Sequence, residues 1–354
     1  MPTAPDLRAL PKVLLHEHLD GGLRAATLLE LLDARGIVPP ATTVAGLVTW
    51  LDARAHAGSL VEYLRGFDLT VAAMATPAAM ERVAFEAAED AHRDGCVLAE
   101  FRIAPILFEP YGISADAATE ALLAGLMRAS VATGMPSGLV VCGMRQQSEA
   151  EVAYSADVAL CHRDAGVVGF DLAGPEAGFP ATLHAGALAR LRDGGVSLTM
   201  HAGEADVAER IIEAAHLGAT RIGHGVRLAD AICDSARRYL VDEVLMRDLH
   251  LEVCPTSNVH TGAATSIANH PIRALWDAGI SLSYHTDNAL ISRVTMSDEA
   301  TNLIELAGFD VADLVKMGLM SARHSFLPET ARRHATDALL AWGRKAGIEG
   351  LANG

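Results

Sequence analysis

The sequence predicts a (β/α)8 TIM barrel with extra helices after the first strand. Eight short apolar runs rich in Val, Ile and Leu alternate with longer Ala-, Leu-, Glu- and Arg-rich segments of helical period. Polar residues suited to catalysis follow several of these runs, as they do at the carboxyl ends of barrel strands. No linker or low-complexity stretch divides the 354 residues. We therefore expect residues 1–354 to form a single barrel domain.

The predicted strands follow one another along the chain, each leading into helical sequence. The strands are predicted at Val13–His18, Val97–Ile103, Gly138–Met144, Val167–Ala173, Ser197–His201, Arg221–His224, Leu251–Pro255 and Ser281–Asp287. Helical stretches follow them, for example at Ala117–Thr133, Pro180–Arg192 and Asp206–Ala215. The alternative is a doubly wound open sheet. It is disfavoured because Gly21-Gly22, after the first strand, lacks the third spaced glycine of a phosphate-binding turn.

The segment from Thr27 to Glu81 is too long for a simple connection between two strands. It contains an apolar stripe at positions i, i+3, i+4 and i+7 of a predicted helix. The stripe consists of Leu60, Tyr63, Leu64 and Phe67. Such a stripe usually packs against the body of the protein, and a lid over a pocket is the other interpretation.

Composition limits the partners that this chain can have. The net charge of −16 would repel a nucleic acid or an anionic membrane, so we expect neither as a partner. No apolar run approaches the roughly 20 residues that span a bilayer. The five cysteines are scattered without a CxxC pair, and no secretion signal is recognisable at residues 1–11. These features predict a cytoplasmic protein with a small-molecule substrate.

His16 and His18 are the first candidate metal ligands. Side chains alternate along a strand, so these two imidazoles leave the same face at its end. Alone, the pair is as well explained by structural histidines. Further candidates, His201, His224 and Asp287, end other predicted strands. Taken singly, each of these is more often a hydrogen-bonded turn residue. Together they supply three or four imidazoles and a carboxylate on one rim, which suits zinc with a position left for water.

The number of metal ions can be predicted from the lysines. The chain has only Lys12, Lys316 and Lys345, none near the third to fifth strands. A carboxylated lysine bridging two metals therefore has no candidate, and we expect one Zn²⁺ per chain. A zinc-activated water needs a proton acceptor, and the substrate needs a donor. Glu204 and His224 form the natural acid/base pair.

Six sequence blocks, spread over nearly the whole chain, occur in an order that matches a known family. The blocks are His16-Glu17-His18-Leu19-Asp20-Gly21, Asp171-Leu172-Ala173-Gly174-Pro175-Glu176, His201-Ala202-Gly203-Glu204, Gly223-His224-Gly225, Cys254-Pro255 with Ser257-Asn258, and His285-Thr286-Asp287. On these residues the chain resembles the adenosine deaminase family of metal-dependent barrel hydrolases.

The resemblance implies hydrolytic deamination of adenosine or 2′-deoxyadenosine to the inosine compound and ammonia. It implies that Glu204 protonates purine N1. His224 would be the base that orients and deprotonates the zinc water, with Asp287 close to the same water. The implied zinc ligands are His16, His18, His201 and Asp287.

The resemblance also implies how the nucleoside is held. The backbone N–H of Gly174 would donate to purine N3, and Asp20 would hold the ribose 5′-hydroxyl. The stripe of Leu60, Tyr63, Leu64 and Phe67 is similar to the family's lid over the ribose, which favours the lid interpretation. Met144 and His18 are expected to line the same pocket.

Asn288 departs from the family pattern. Many members carry a second Asp there that contacts purine N7, and an amide can still donate to N7. The substrate alternatives are therefore adenine, aminofutalosine or a modified nucleoside, although Asp20-Gly21 favours a ribose because adenine-type members tend to carry Glu-Gly. A catalytically dead nucleoside binder and a metal-dependent amidase or phosphoesterase are alternatives from other classes.

Overall fold

The structure, a computed structural model, describes residues 6–55 and 60–351, with the backbone alone for residues 60–65. Within these residues, eight parallel strands lie side by side in chain order. The strands are β1 (Lys12–Leu14), β2 (Cys96–Ile103), β3 (Ser137–Met144), β4 (Val167–Ala173), β5 (Ser197–Ala202), β6 (Arg221–His224), β7 (His250–Val253) and β8 (Leu282–Tyr284). The sequential order is that of a barrel, since a doubly wound sheet reverses its order at a switch point.

Helices surround the strands. They are α1 (Ala25–Ala34), α2 (Val44–Ala55), α3 (Leu60–Met74), α4 (Pro77–Arg93), α5 (Ala115–Thr133), α6 (Glu149–His162), α7 (Ala185–Asp193), α8 (Glu209–His216), α9 (Arg238–Met246), α10 (Pro255–His260), α11 (Ile272–Asp277), α12 (Ala289–Ser292), α13 (Met296–Leu306), α14 (Val311–His324) and α15 (Glu329–Lys345). Short 3₁₀ turns lie at Pro105–Tyr111, Arg163–Ala165, Ala181–His184, Val226–Ala231 and Ile267–Asn269. None of the helices within the described ranges is long and apolar enough to cross a membrane.

Residues beyond β1 and β8 close the sheet. Glu17 and Asp287 form an isolated parallel bridge. The Asp287 N–H donates to His16 O at 3.0 Å, and the His18 N–H donates to Asp287 O at 2.7 Å. The predicted (β/α)8 barrel is confirmed, and the closing contacts involve the candidate metal ligands themselves.

The ends of some strands differ from the prediction. β1 and β8 are short, because His16–His18 and the segment up to Asp287 pair only through isolated bridges. The predicted strand end at Pro255 is wrong, since this residue begins α10. The physical reason is that proline has no N–H for a strand ladder but suits the first turn of a helix.

Four helices, α1 to α4, occupy the long connection between β1 and β2. α4 begins at Pro77, with the Thr76 side chain accepting the Ala79 N–H at 3.1 Å. In α3, Phe67 packs with Ala55 and Ile291. The side chains of the other members of the predicted stripe, Leu60, Tyr63 and Leu64, lie outside the described residues. The extra helices after the first strand are therefore present as expected.

Candidate active site

Four predicted ligands converge at the carboxyl end of the barrel. Nitrogen or carboxylate oxygen atoms of His16, His18, His201 and Asp287 all lie within 4.8 Å of one another. Asp287 Oδ1 is 3.5 Å from Nε2 of both His16 and His18, and the Nε2 atoms of His18 and His201 are 3.4 Å apart. His16 Nε2 is buried and, within the part of the chain that the structure describes, has no hydrogen-bond partner. Three imidazoles and one carboxylate are a donor set that zinc accepts, so these residues fit the expected ion.

Buried carboxylates hold two of these imidazoles. His16 Nδ1 lies 2.9 Å from Glu252 Oε2, and His201 Nδ1 lies 2.9 Å from Asp171 Oδ2. A proton shared at Nδ1 leaves Nε2 free to bind a metal. Arg102 joins both carboxylates, since it donates to Asp171 at 2.9 Å and to Glu252 at 2.6 Å.

These supporting residues were not predicted from the sequence. A signal was nevertheless present, because a charged residue inside an apolar strand is rare unless it is paired. Arg102 lies in β2, Asp171 in β4 and Glu252 in β7, and all three are fully buried.

Two site residues have a backbone conformation that is uncommon for residues with a side chain. His224 has φ of 64° and Asp287 has φ of 61°. Such strain is found at functional sites where surrounding contacts enforce it. At Asp287 the enforcing contacts include the bridge to Glu17 and a 2.5 Å hydrogen bond from Ser257 Oγ to Oδ2.

Glu204 is a buried acid on the same rim. Its Oε1 accepts from Asn258 Nδ2 at 3.1 Å and from Thr261 Oγ1 at 2.8 Å, and its Oε2 lies 3.6 Å from His224 Nε2. Burial raises the pKa of Glu204 to about 7, because it penalises the charged form. A carboxyl group with this pKa retains a proton near neutral pH, as a general acid must.

Asn258 determines which ring nitrogen of His224 carries the proton. The backbone N–H of Ile272 donates to His270 Nδ1 at 3.0 Å, so the His270 proton is on Nε2, 3.3 Å from Asn258 Oδ1. This fixes the Asn258 amide with Nδ2 3.0 Å from His224 Nδ1. His224 Nδ1 therefore accepts, and a neutral His224 carries its proton on Nε2.

A cavity of about 240 Å³ opens over this cluster. It brings together most of the residues that the sequence analysis assigned to substrate, metal or catalysis. These are His18, Asp20, Phe67, Met144, Gly174, His201, Glu204, His224, Asp287 and Asn288. His16 lies buried among the ligands. Thr261, Gln146, Leu107 and Cys142 also line the cavity and were not assigned from sequence.

Gly174 has a backbone conformation that residues with a side chain rarely adopt. Its φ is 95°, and a Cβ there would lie 2.4 Å from Gln146 Oε1. The backbone can therefore approach a ligand in the cavity closely. Asp20 supplies a carboxyl group to the same cavity. It is buried, and burial raises its pKa to about 7.

A larger cavity of about 540 Å³ lies elsewhere, beside α1, α4 and α12. Its lining includes Glu17 and Thr286 but none of the clustered imidazoles. The chemistry therefore belongs to the smaller cavity.

Comparison with known proteins agrees with this geometry. A family model described as adenosine deaminase matches residues 11–342. The chain belongs to the adenosine deaminase family. Among curated relatives in the family, adenosine deaminase of Mycobacterium tuberculosis (strain ATCC 25618 / H37Rv) is 41% identical over 349 residues, covering 96% of each chain. Adenosine deaminase of Mycobacterium ulcerans (strain Agy99) is 40% identical over 352 residues, covering 96% of this chain and 97% of that one.

Solved structures show the same fold. Adenine deaminase from Arthrobacter aurescens has a TM-score of 0.85 at 24% identity, covering 95% of this chain and 100% of that chain. The N6-methyl-AMP deaminase of Arabidopsis thaliana has a TM-score of 0.81 at 24% identity, covering 96% and 98%. A Burkholderia ambifaria amidohydrolase with bound zinc has a TM-score of 0.86 at 23% identity, covering 96% and 92%. At 23–24% identity, these three solved structures share the barrel fold with this protein.

Proposed function

We propose that this protein is a cytoplasmic, zinc-dependent adenosine deaminase that hydrolyses adenosine or 2′-deoxyadenosine to inosine or 2′-deoxyinosine and ammonia. One observation supports it above the others. A buried acid, Glu204, faces a cluster of three imidazoles and a carboxylate across a single small cavity. Relatives at 40–41% identity carry the name adenosine deaminase, which supports the same activity.

The metal would be held by His16, His18, His201 and Asp287. Bound there, zinc supplies Lewis-acid activation of the attacking water. The Nδ1 contacts to Glu252 and Asp171 orient two of the imidazoles for this task.

The proton steps are assigned to this chain's own side chains. Protonated Glu204 donates to purine N1, which makes C6 electrophilic. Water adds to C6 and gives up a proton, which passes to the C6 amino group, and the C6–N6 bond then breaks to release ammonia. The C6 hydroxyl returns a proton to the Glu204 carboxylate as the 6-oxo group forms. With its proton on Nε2, His224 orients the water by donating to it, which leaves Asp287 to accept the water's proton. The hydrogen bond from Asn258 favours this donor role for His224 over the base role that the family resemblance implies.

The cavity lining supports a neutral nucleoside substrate. The lining residues that the structure describes include the carboxyl groups of Asp20 and Asp68 but neither Arg nor Lys, so a 5′-phosphate would find no cation to pair with among them. We assign Asp20 to the ribose 5′-hydroxyl, the Gly174 N–H to purine N3 and Asn288 to N7. Phe67 of α3, Met144 and His18 complete the walls.

Parallel assays with adenosine, 2′-deoxyadenosine, adenine and AMP test this proposal. Zinc-loaded protein should convert the two nucleosides alone, measured as the ultraviolet change from the adenine to the hypoxanthine chromophore with ammonia released. A chelator should abolish conversion, and His201→Ala should lose it together with bound zinc. Glu204→Gln should keep zinc while kcat falls about 10²–10⁴-fold.

Other outcomes would redirect the assignment. Conversion of adenine alone would contradict the roles of Asp20 and the α3 lid. Nucleoside binding without turnover by zinc-loaded protein would contradict the enzyme assignment itself.

A further inference from the structure

Glu176 makes an unusual set of contacts at the edge of the active site. It follows β4 and is only 4% exposed. Its Oε1 accepts the Gly203 N–H at 2.5 Å. Its Oε2 accepts the N–H groups of Glu204, Ala205 and Asp206 at 3.0, 2.8 and 3.0 Å. Consecutive N–H groups that converge on one anion form a nest of the kind that binds phosphates, so this carboxylate is a built-in anion for the loop.

The loop that Glu176 holds carries the proposed acid. Glu204 stands three residues after His201, beyond Gly203 with its φ of 67°. Arg227 binds the opposite, carbonyl side of this loop. Its Nε donates to Glu204 O at 3.1 Å, and its backbone N–H donates to Gly203 O at 2.9 Å. The loop is thus fixed from both sides, by Glu176 at its N–H groups and by Arg227 at its carbonyl groups.

The loop depends on this carboxylate. Within the described residues, the four N–H groups have no acceptor besides Glu176. Buried N–H groups without an acceptor are costly, so the loop would turn toward other partners if Glu176 lost its charge. The buried guanidinium of Arg145 supports the strands that precede Glu176 and this loop, because it donates to Leu172 O of β4 at 2.9 Å and to His201 O of β5.

We propose that Glu176 is a positioning residue, whose carboxylate fixes the backbone after β5 so that Glu204 faces purine N1. This rests on the function proposed above, in which Glu204 donates the proton to N1. Glu176 acts on the acid and not on the metal, because the His201 ring is held separately by Asp171.

Glu176→Gln is the direct test, because the amide keeps the shape but turns an NH₂ group toward the nest. We expect kcat to fall at least about 10-fold, with bound zinc unchanged and KM changed less than kcat. In a Glu204→Gln background, the same substitution should change the residual rate less than about 2-fold, because the two residues act as a unit. Glu151→Gln is the matched control. Glu151 accepts the Ser148 N–H at 2.9 Å on the surface, so kcat should stay at the wild-type value.

Amide hydrogen exchange gives a readout that does not depend on activity. Glu176→Gln should lose protection at Gly203 to Asp206. If Glu176→Gln does not fold, Glu176→Asp keeps the charge at a shorter reach and is measured in its place. Unchanged protection, an unchanged kcat, or equal losses of rate with and without Glu204 would each overturn the proposal. If the wild type deaminates no 6-aminopurine, the proposed function fails, while the exchange result still decides whether Glu176 orders the loop.

Discussion

Asn288 packs directly against Gly21 and lines the cavity of the candidate active site. A Cβ on Gly21 would lie 1.9 Å from Asn288 Oδ1, so the absence of a side chain at Gly21 is what lets Asn288 occupy its position. Asn288 is 2% exposed and lines the cavity beside Asp287. The amide is therefore placed where a hydrogen bond to a purine nitrogen can be tested.

Asn288→Ala should weaken the reaction of adenosine selectively. If the amide donates to N7, its loss should lower kcat/KM for adenosine about 10-fold. With 7-deazaadenosine, which has no N7 acceptor, the change should stay below about 2-fold. Where that analogue is not turned over, its inhibition constant serves as the measurement.

Two further variants sharpen this test. Asn288→Asp restores the residue that many family members carry and should keep adenosine turnover. Gly21→Ala should displace the amide and reproduce the selectivity of Asn288→Ala. Equal losses for adenosine and 7-deazaadenosine would show that Asn288 does not contact N7.

The individual residues of the site differed in how readily the sequence revealed them. His16, His18, His201 and Asp287 stand at the ends of recognisable strands, so their convergence followed from the barrel. Asn258 belongs to one of the sequence blocks that match the family, but the sequence does not indicate what its side chain contacts. The role of Asn258 arises from a contact to His270 on the connection before α11, and sequence spacing does not encode that contact.

At the scale of elements, the strands do more than form the barrel wall. Arg102 of β2 connects Asp171 of β4 with Glu252 of β7, and Glu252 also accepts from Arg221 of β6 at 2.6 Å. Arg221 reaches Glu100 of β2 at 2.7 Å. These ion pairs are buried inside the barrel and link β2, β4, β6 and β7.

Arg102→Met should damage both stability and metal binding. It leaves the buried carboxylates of Asp171 and Glu252 without their cation, which should lower the free energy of unfolding by about 3–5 kcal/mol. Because both carboxylates orient imidazoles, zinc affinity should also fall about 10–100-fold. Urea denaturation of metal-free protein and zinc titration measure the two effects.

A surface pair is the control for this substitution. Arg323 pairs with Asp248, and both side chains are about half exposed, at 49% and 61%. Arg323→Met should change stability by less than about 1 kcal/mol and leave zinc affinity as it was. A stability loss in Arg102→Met with unchanged zinc affinity would show that the two carboxylates hold the imidazoles without Arg102.

The positions of the elements were largely predictable, and their ends were not. β4 and β6 match the predicted ranges, because apolar runs between turn residues define them. β1 and β8 stop early, since the chain leaves the regular ladder there to place His18 and Asp287. Cross-strand charge pairs such as Arg102 with Glu252 were not predictable, because they join residues far apart in sequence.

At the scale of the whole molecule, folding buries several histidines in uncharged form. Burial lowers the pKa of His270 and of His324 to about 4, and holds those of His250 and His285 well below the usual range. At these four histidines the unfolded chain therefore binds more protons below pH 6.5 than the folded chain does, so their contribution favours unfolding as the pH falls. Overall composition does not predict this, because it depends on which histidines the barrel encloses.

His270 isolates this effect in one side chain. Its Nδ1 already accepts the Ile272 N–H, so protonation would cost that hydrogen bond as well as burying a charge. With a pKa of about 4 when folded and 6.5 when unfolded, His270 should account for about 2 kcal/mol of the stability lost between pH 7 and pH 5. In His270→Asn, which keeps an acceptor near Nδ1 but does not titrate, the fall between these pH values should be smaller by that amount. Urea denaturation of metal-free protein at each pH measures it, with His334→Asn as the control substitution at an exposed histidine. An equal slope in wild type and His270→Asn would show that His270 is not held neutral in the folded barrel, and that the acid sensitivity arises at other groups.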